Sequence, residues 1–362
     1  MGKKEWTDIK KVLKAGGFIF NDLFPIIAAS YVTRKWEGDP LWILVVAPPG
    51  SGKTCAINLY VEAPDVKIVG AVTPASLISG WGGDMIDRSL LLELQSGQLL
   101  QAKDFGTILS MGSQQVAIVF GFLREAYDGY VSKHFGNCFR EYKPKFNFIA
   151  ATTEACEVVA TFRAQLGERF LRFNYAGVRL PSPLPSVNPN LAGVVSGWMI
   201  EAEKEPRPSF SKADTSWLHA VAKVTAKLRT DVIHDSRSRE VLEIPGFEGY
   251  ARLEKQLTKL YGGLAIAIGD GTDARRLVKH TGLSSIKPRK VLVLQQIRRK
   301  PGVLSVNEIA ENIRHGPTVV RRLLNDLYVL GLVERTQQGF PKTYTWNVEP
   351  KFNKELDFIL PP

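Results

Sequence analysis

Trp42-Ile43-Leu44-Val45-Val46-Ala47-Pro48-Pro49-Gly50-Ser51-Gly52-Lys53-Thr54 is the stretch on which the whole chain turns. Its first five residues are apolar and suit a buried strand, and the Gly-rich turn that follows ends in Gly-Lys-Thr. A strand, such a turn and a helix in succession make a loop that cradles phosphate. Gly50 and Gly52 let backbone N–H groups converge on phosphate oxygens with no Cβ in the way, and Pro49 and Ser51 complete the turn. The spacing sends Lys53 to the β- and γ-phosphates and the Thr54 hydroxyl to a Mg²⁺ position. A helix opening near Thr54 directs its positive end at the same anion. Ala47 stands where this motif has its first Gly. A Gly-rich turn without a ligand is the competing explanation, and it leaves the register of strand, turn and helix unaccounted for. ATP with Mg²⁺ is the expected cofactor.

The chain has 362 residues, enough for two or three domains with their own cores. With 44% hydrophobic and 23% charged residues it has the composition of a globular protein. Its net charge of +11 suits a polyanionic partner. Three cysteines (Cys55, Cys138, Cys156) show no metal-ligand spacing, and an odd count suits a reducing compartment. No secretory leader is legible and no apolar run reaches membrane-spanning length, so a cytoplasmic location away from membranes is expected. The apolar piece 18–29 is interrupted by Asn21, Asp22 and Pro25 and is expected as a helix packed on the nucleotide domain.

Residues 1–40 are expected as a helical lead-in. Over 41–180 apolar runs alternate with amphipathic stretches, the pattern of an α/β fold with a parallel sheet covered by helices on both faces. Strands are expected at 42–47, 67–72, 98–103 and 146–151. The proline-rich segment 180–190 marks a boundary. Residues 181–284 beyond it are mostly helical in pattern, with helices expected at 217–228 and 251–268. Residues 285–350 have a different grammar. A helix ends at Lys300-Pro301-Gly302, Ser305 and Glu308 form a capping box, and a third helix begins at Pro317 and stops at Gly331. Two short strands flank the turn Gln337-Gln338-Gly339. Three helices and a hairpin in that order predict a winged helix-turn-helix. Its eleven Lys/Arg against five Asp/Glu point to duplex DNA, with Arg321 and Arg322 on the recognition-type helix and Arg335 and Lys342 flanking the wing. Protein contact alone is the competing role for this module. Residues 351–362 are expected as a tail.

A phosphate loop needs an acid at the end of a neighbouring strand. Asp104 ends the stretch Leu99-Leu100-Gln101-Ala102-Lys103, but Phe105 follows where a second acid is usual. Asp104 is therefore expected on the metal, with the alternatives that it is the hydrolysis base or merely caps the next helix. Glu125 and Asp128 are secondary candidates for the base. Two β-prone runs around Gly136-Asn137 predict a hairpin made cationic by Lys133, His134, Arg140, Lys143 and Lys145. Thr152 and Thr153 end the next strand with hydroxyls that suit polarising water. Arg169, expected at the end of a helix, suits a cation that completes a neighbouring subunit's site.

This ordered set resembles the AAA+ superfamily of P-loop ATPases, and within it the minichromosome-maintenance-type helicases and their short relatives on phages and mobile elements. The similarity covers about residues 40–350. It implies a helical lid after the nucleotide core and a hexameric ring of identical chains. The hairpin bearing Lys133 would line a channel gripping single-stranded DNA, Thr153 would act as sensor, Arg169 as arginine finger and Arg252 as second sensor. The expected function is an ATP-driven DNA motor acting in replication. The alternative is a nucleotide-switched replication initiator that unwinds nothing, which suits Lys103-Asp104-Phe105. An ATPase that remodels a protein partner ranks third.

Overall fold

The computed structural model describes residues 5–18, 22–80, 87–136, 138–153, 169–175, 189–235, 241–243, 249–269, 271–338 and 343–360. Lys342, Gly339, Asn137, Cys156, residues 166–168 and most of the proline-rich segment lie outside them. The chain divides into two compact units, Met1–Ser209 with Thr258–Val278, and Phe210–Leu257 with Lys279–Pro362.

The first unit is a mixed α/β structure built on five parallel strands flanked by helices. They are β1 (Trp42–Val46), β2 (Val66–Val69), β3 (Gln98–Ala102), β6 (Phe146–Thr152) and β7 (Phe170–Asn174), in the order β2-β3-β6-β1-β7. Between β3 and β6 the chain makes the helix Ser113–Tyr127 and an antiparallel hairpin of β4 (Val131–His134) and β5 (Phe139–Tyr142). All five residues of β1 are buried, which is why its sequence is continuously apolar rather than alternating. On one face Trp42 meets the rings of Tyr127, Phe146, Phe148 and Phe170, with centroids 5.1–5.5 Å apart. Against the other face lies the helix Leu23–Val32, buried at every position. Asn147 on β6 ties the two together. Its Nδ2 donates to the Ser30 carbonyl (2.8 Å) and Thr33 Oγ1 (3.0 Å), and its Oδ1 accepts from the Leu41 N–H (2.7 Å). The buried Arg34 donates to Asp65 (2.9 Å) and Glu203 (3.0 Å), joining the lead-in to β2 and to the helix Pro189–Glu203.

The segment around Arg169 differs from expectation. Arg169 stands in a turn and enters β7 directly. The short run Phe170-Leu171-Arg172-Phe173 gains strand geometry by pairing with β1, an advantage no local period reveals.

In the second unit the helix Lys212–Arg229 opens on a capping box at Ser211 and Asp214, and a small ribbon of β8 (Ile233–His234) and β9 (Val241–Glu243) follows. The helix Tyr250–Ile268 passes from this unit into the first. Three helices, Pro288–Arg299, Val306–Asn312 and Pro317–Val329, precede an antiparallel ribbon of β10 (Val333–Gln338) and β11 (Thr343–Val348). The expected tail is instead a docked helix, Pro350–Leu356, with Phe352, Leu356, Ile359 and Leu360 buried. Lys223 and Lys227 both reach Glu355, and Arg298 pairs with Asp357. Four apolar side chains and three cations give this stretch a reason to fold back.

Candidate nucleotide site

The turn after β1 stands at the carboxyl ends of the strands, where the chain leaves β1 for the far edge strand β2 while β6 and β7 flank it. A crevice at such a reversal is where open α/β sheets bind ligands. Gly50 and Gly52 have φ of 74° and 82°, left-handed values that a side chain resists, so both glycines are needed for the turn itself. Gly52 then opens the helix Lys53–Asn58.

Lys53 folds over its own loop. Its ammonium donates to the carbonyls of Ala47 (2.6 Å) and Pro48 (2.9 Å) and to Ser51 Oγ (3.3 Å). Burial pulls its pKa below the ordinary lysine value, and the charge of Asp104 opposes that shift. The charges of Asp104, just after β3, and Lys53, at the start of the helix after β1, therefore act on one another. Asp104 is exposed, and its Oδ1 accepts from the Gly106 N–H (2.9 Å), so it does cap the short helix Gly106–Leu109. Its other oxygen leaves room for a further role. Pro48, Pro49, Gly50 and Thr54 are exposed, while Ser51 is buried.

Of the two threonines, Thr152 is the one beside the loop. It ends β6 opposite Val46, its carbonyl accepts from the Ala47 N–H (3.2 Å), and its hydroxyl lies 3.8 Å from where a Cβ on Gly106 would stand. Thr153, the residue named from sequence, follows the strand, and the Thr152 hydroxyl donates to its carbonyl at 3.4 Å. Two adjacent hydroxyls gave the sequence no means to choose. Thr152, buried at 2% exposure, stands opposite Val46 at the end of β6, and the half-buried Thr153 follows it.

Arg169 lies at the opposite end of the sheet. Phe170 pairs with Trp42, the first residue of β1, whereas the loop follows Val46, so roughly 15 Å of strand separates them. The guanidinium pairs with Asp128 (2.7 Å) and covers the ring of Tyr127 at 5.7 Å. Asp128, named as a secondary candidate for the base, thus stands beside Arg169 at this end of the sheet. Arg252 belongs to the second unit, half-buried on the helix Tyr250–Ile268.

The cationic hairpin forms as expected, but its cations are unequal. Lys133 is held between the rings of Phe122 (4.9 Å) and Phe135 (4.7 Å). Arg140, opposite it, approaches Asp87 at 3.9 Å. His134, stacked near Phe139 at 4.4 Å, and Lys143 are exposed. In the second unit Arg321 and Arg322 are exposed on the helix Pro317–Val329. Arg335 is stacked between Tyr328 (4.4 Å) and Tyr344 (5.0 Å).

These donors fit a triphosphate: a left-handed glycine turn, an ammonium on its rim, a free hydroxyl at Thr54 and a carboxylate facing them. Among the described residues no three His, Cys, Asp or Glu cluster as a self-sufficient metal site. Thr54 and Asp104 would hold Mg²⁺ only together with phosphate oxygens, the ordinary arrangement for this ion. No described helix is long and apolar enough to cross a membrane. No protein-family model matches the chain, and no curated protein matches it.

Proposed function

We propose that this chain is an ATP-hydrolysing, helicase-like DNA motor of the AAA+ type, working as a homo-hexameric ring in replication of a phage, plasmid or mobile element. The observation that carries it is the glycine turn with Lys53 at the carboxyl end of β1, faced by Asp104 and Thr152. Bound ATP with Mg²⁺ would supply a phosphoryl group whose transfer to water releases free energy. Lys53 would exchange its loop carbonyls for phosphate oxygens. Thr54 and Asp104 would hold the metal, and the Thr152 hydroxyl would orient water. Arg169 cannot reach the loop of its own protomer, which suits an arginine acting on a neighbour's nucleotide. Arg252 would act as the second sensor of the helical lid. The exposed His134 and Lys143 would carry the grip on a single strand's phosphates, with Lys133 and Arg140 shaping the hairpin. Residues 285–350 would act as a winged helix on duplex, through Arg321, Arg322, Arg335 and Lys342.

Two observations favour a second role, a nucleotide-switched replication initiator without unwinding activity. Asp104 has no acidic neighbour, and Lys133 is tied down by aromatic rings rather than presented. Measuring ATP turnover and strand separation with and without single-stranded DNA separates the two. The motor requires DNA-stimulated turnover and strand displacement. ATP binding with slow turnover, indifferent to DNA and without displacement, would establish the switch instead.

A further inference from the structure

We infer that Thr318, Arg322 and Asn325 read base edges in the major groove, so that the carboxy-terminal module selects one duplex sequence over others. This inference rests on the duplex-binding role proposed above for residues 285–350 and adds to it the residues that recognise sequence.

The helix Pro317–Val329 has two unlike faces. Val320, Leu323, Leu324 and Leu327 are buried, whereas Thr318, Arg321, Arg322 and Tyr328 are exposed and Asn325 is half-buried. The outward residues recur at three- and four-residue spacing, so they share one side of the helix. The helix carries a single acid, Asp326, and that residue is turned inward. It is 8% exposed, and its Oδ1 lies 2.6 Å from His234 Nε2. Among the described residues, Thr318, Arg321, Arg322 and Asn325 have no side-chain hydrogen bond or ion pair. A helix that hides its carboxylate and turns two guanidiniums outward suits a polyanion. The same polar, charged stripe is unlike the charge-poor centre of a protein interface.

Cations alone would hold any duplex, so the placing of side chains around the helix is the informative part. Counted from Thr318 at about 100° per residue, Asn325 lies at about −20° and Arg322 at about +40°, but Arg321 at about −60° and Tyr328 at about −80°. Thr318, Arg322 and Asn325 therefore form the crest, and Arg321 lies on its flank. A groove about 12 Å wide takes a helix crest first, so the crest meets base edges and the flank meets the phosphates of the groove wall. From Thr318 to Asn325 the crest runs about 10 Å along the axis, the rise of about three base pairs. It also lies in the first turns of the helix, the part that reaches base edges in helix-turn-helix modules. Its residue types carry a code: Arg322 pairs with O6 and N7 of guanine, Asn325 with N6 and N7 of adenine, and the Thr318 methyl meets that of thymine.

The test selects duplexes from a random pool with the full chain, excess single-stranded DNA being present to occupy the hairpin proposed for that strand. Affinities for the selected duplex, its single-base variants and a scrambled duplex follow, at several salt concentrations. Wild type should enrich a short core containing guanine and adenine. Asn325→Ala should lose the preference at the adenine and Arg322→Ala that at the guanine, each roughly 5- to 150-fold, with the other position still read. Arg321→Ala should weaken selected and scrambled duplexes by the same factor and lower the salt slope by about 1. These positions face outward, and retained binding of the scrambled duplex by Asn325→Ala shows that its fold is intact. Duplex binding that enriches no sequence, or the wild-type preference in either Asn325→Ala or Arg322→Ala, would overturn the base-reading role and leave duplex binding in place. Failure of the full chain to bind any duplex would overturn both and return the module to protein contact.

Discussion

Lys259 carries a charge that folding makes expensive. It is 6% exposed and donates to the carbonyls of Trp36 (3.3 Å) and Asp39 (3.0 Å). Burial, with Lys145 and Arg207 nearby, pulls its pKa down to about 8 from an ordinary lysine value of 10.5. Between those values the unfolded chain holds a proton that the native one has released, so this group's contribution to stability rises with pH across that window. It is lost as pH falls through about 8. Wild type and Lys259→Met should therefore diverge on going from pH 7 to pH 10, wild type gaining about 2–3 kcal/mol relative to the variant. Urea unfolding at the two pH values measures it, and parallel behaviour would contradict the depressed lysine. Nothing in the sequence announces Lys259, because burial of a lysine stem on an amphipathic helix looks like any exposed cation. Lys53 and Asp104, by contrast, are singled out by local spacing alone. Thr152 and Thr153 carry the same local signal, and only the pairing of β6 places one of them opposite Val46.

Elements whose signals are local were legible, and those that depend on a distant partner were not. The strand before the loop, the hairpin at Gly136 and the helices opened by Ser305 and Pro317 carry their own caps, turns and periods, and all form where the residues indicate. β7 is short, contains Arg172 and owes its conformation to β1, so nothing within it outweighs a helical reading. The helix Pro350–Leu356 has Pro at its start and a Glu349 side chain accepting from Lys351 and Phe352 N–H groups. These signals were present, but terminal position and the charges of Lys351, Lys354 and Glu355 made it resemble a tail. Its burial makes a definite prediction. Phe352, 2% exposed and lying under Lys227 at 5.2 Å, should cost about 3–5 kcal/mol when replaced by Ala. Denaturant unfolding of the full chain would show it. A loss under about 1 kcal/mol would mean the helix is peripheral to the core it is docked in.

At the scale of the whole molecule, the proposed ring makes use of the two opposite ends of the sheet. The loop follows the carboxyl end of β1, and Arg169 precedes the amino end of β7, its parallel neighbour. On the proposed function, a protomer carries half of a nucleotide site at one end of its sheet and, at the other, the cation that completes a neighbour's half. Closing such a head-to-tail relation produces a ring. It also makes two kinds of silent variant that cure one another. Lys53→Ala destroys the loop but leaves its arginine sound, and Arg169→Ala does the reverse. Each alone should hydrolyse no ATP. Mixed one to one with random placement, a site is competent only when an intact loop meets an intact arginine, so about one quarter of interfaces should recover. Turnover by the mixture at about a quarter of the wild-type rate per protomer, with neither parent active, is the expected result. A mixture as silent as its parents, in particles shown to contain both, would mean that Arg169 does not serve a neighbour's nucleotide.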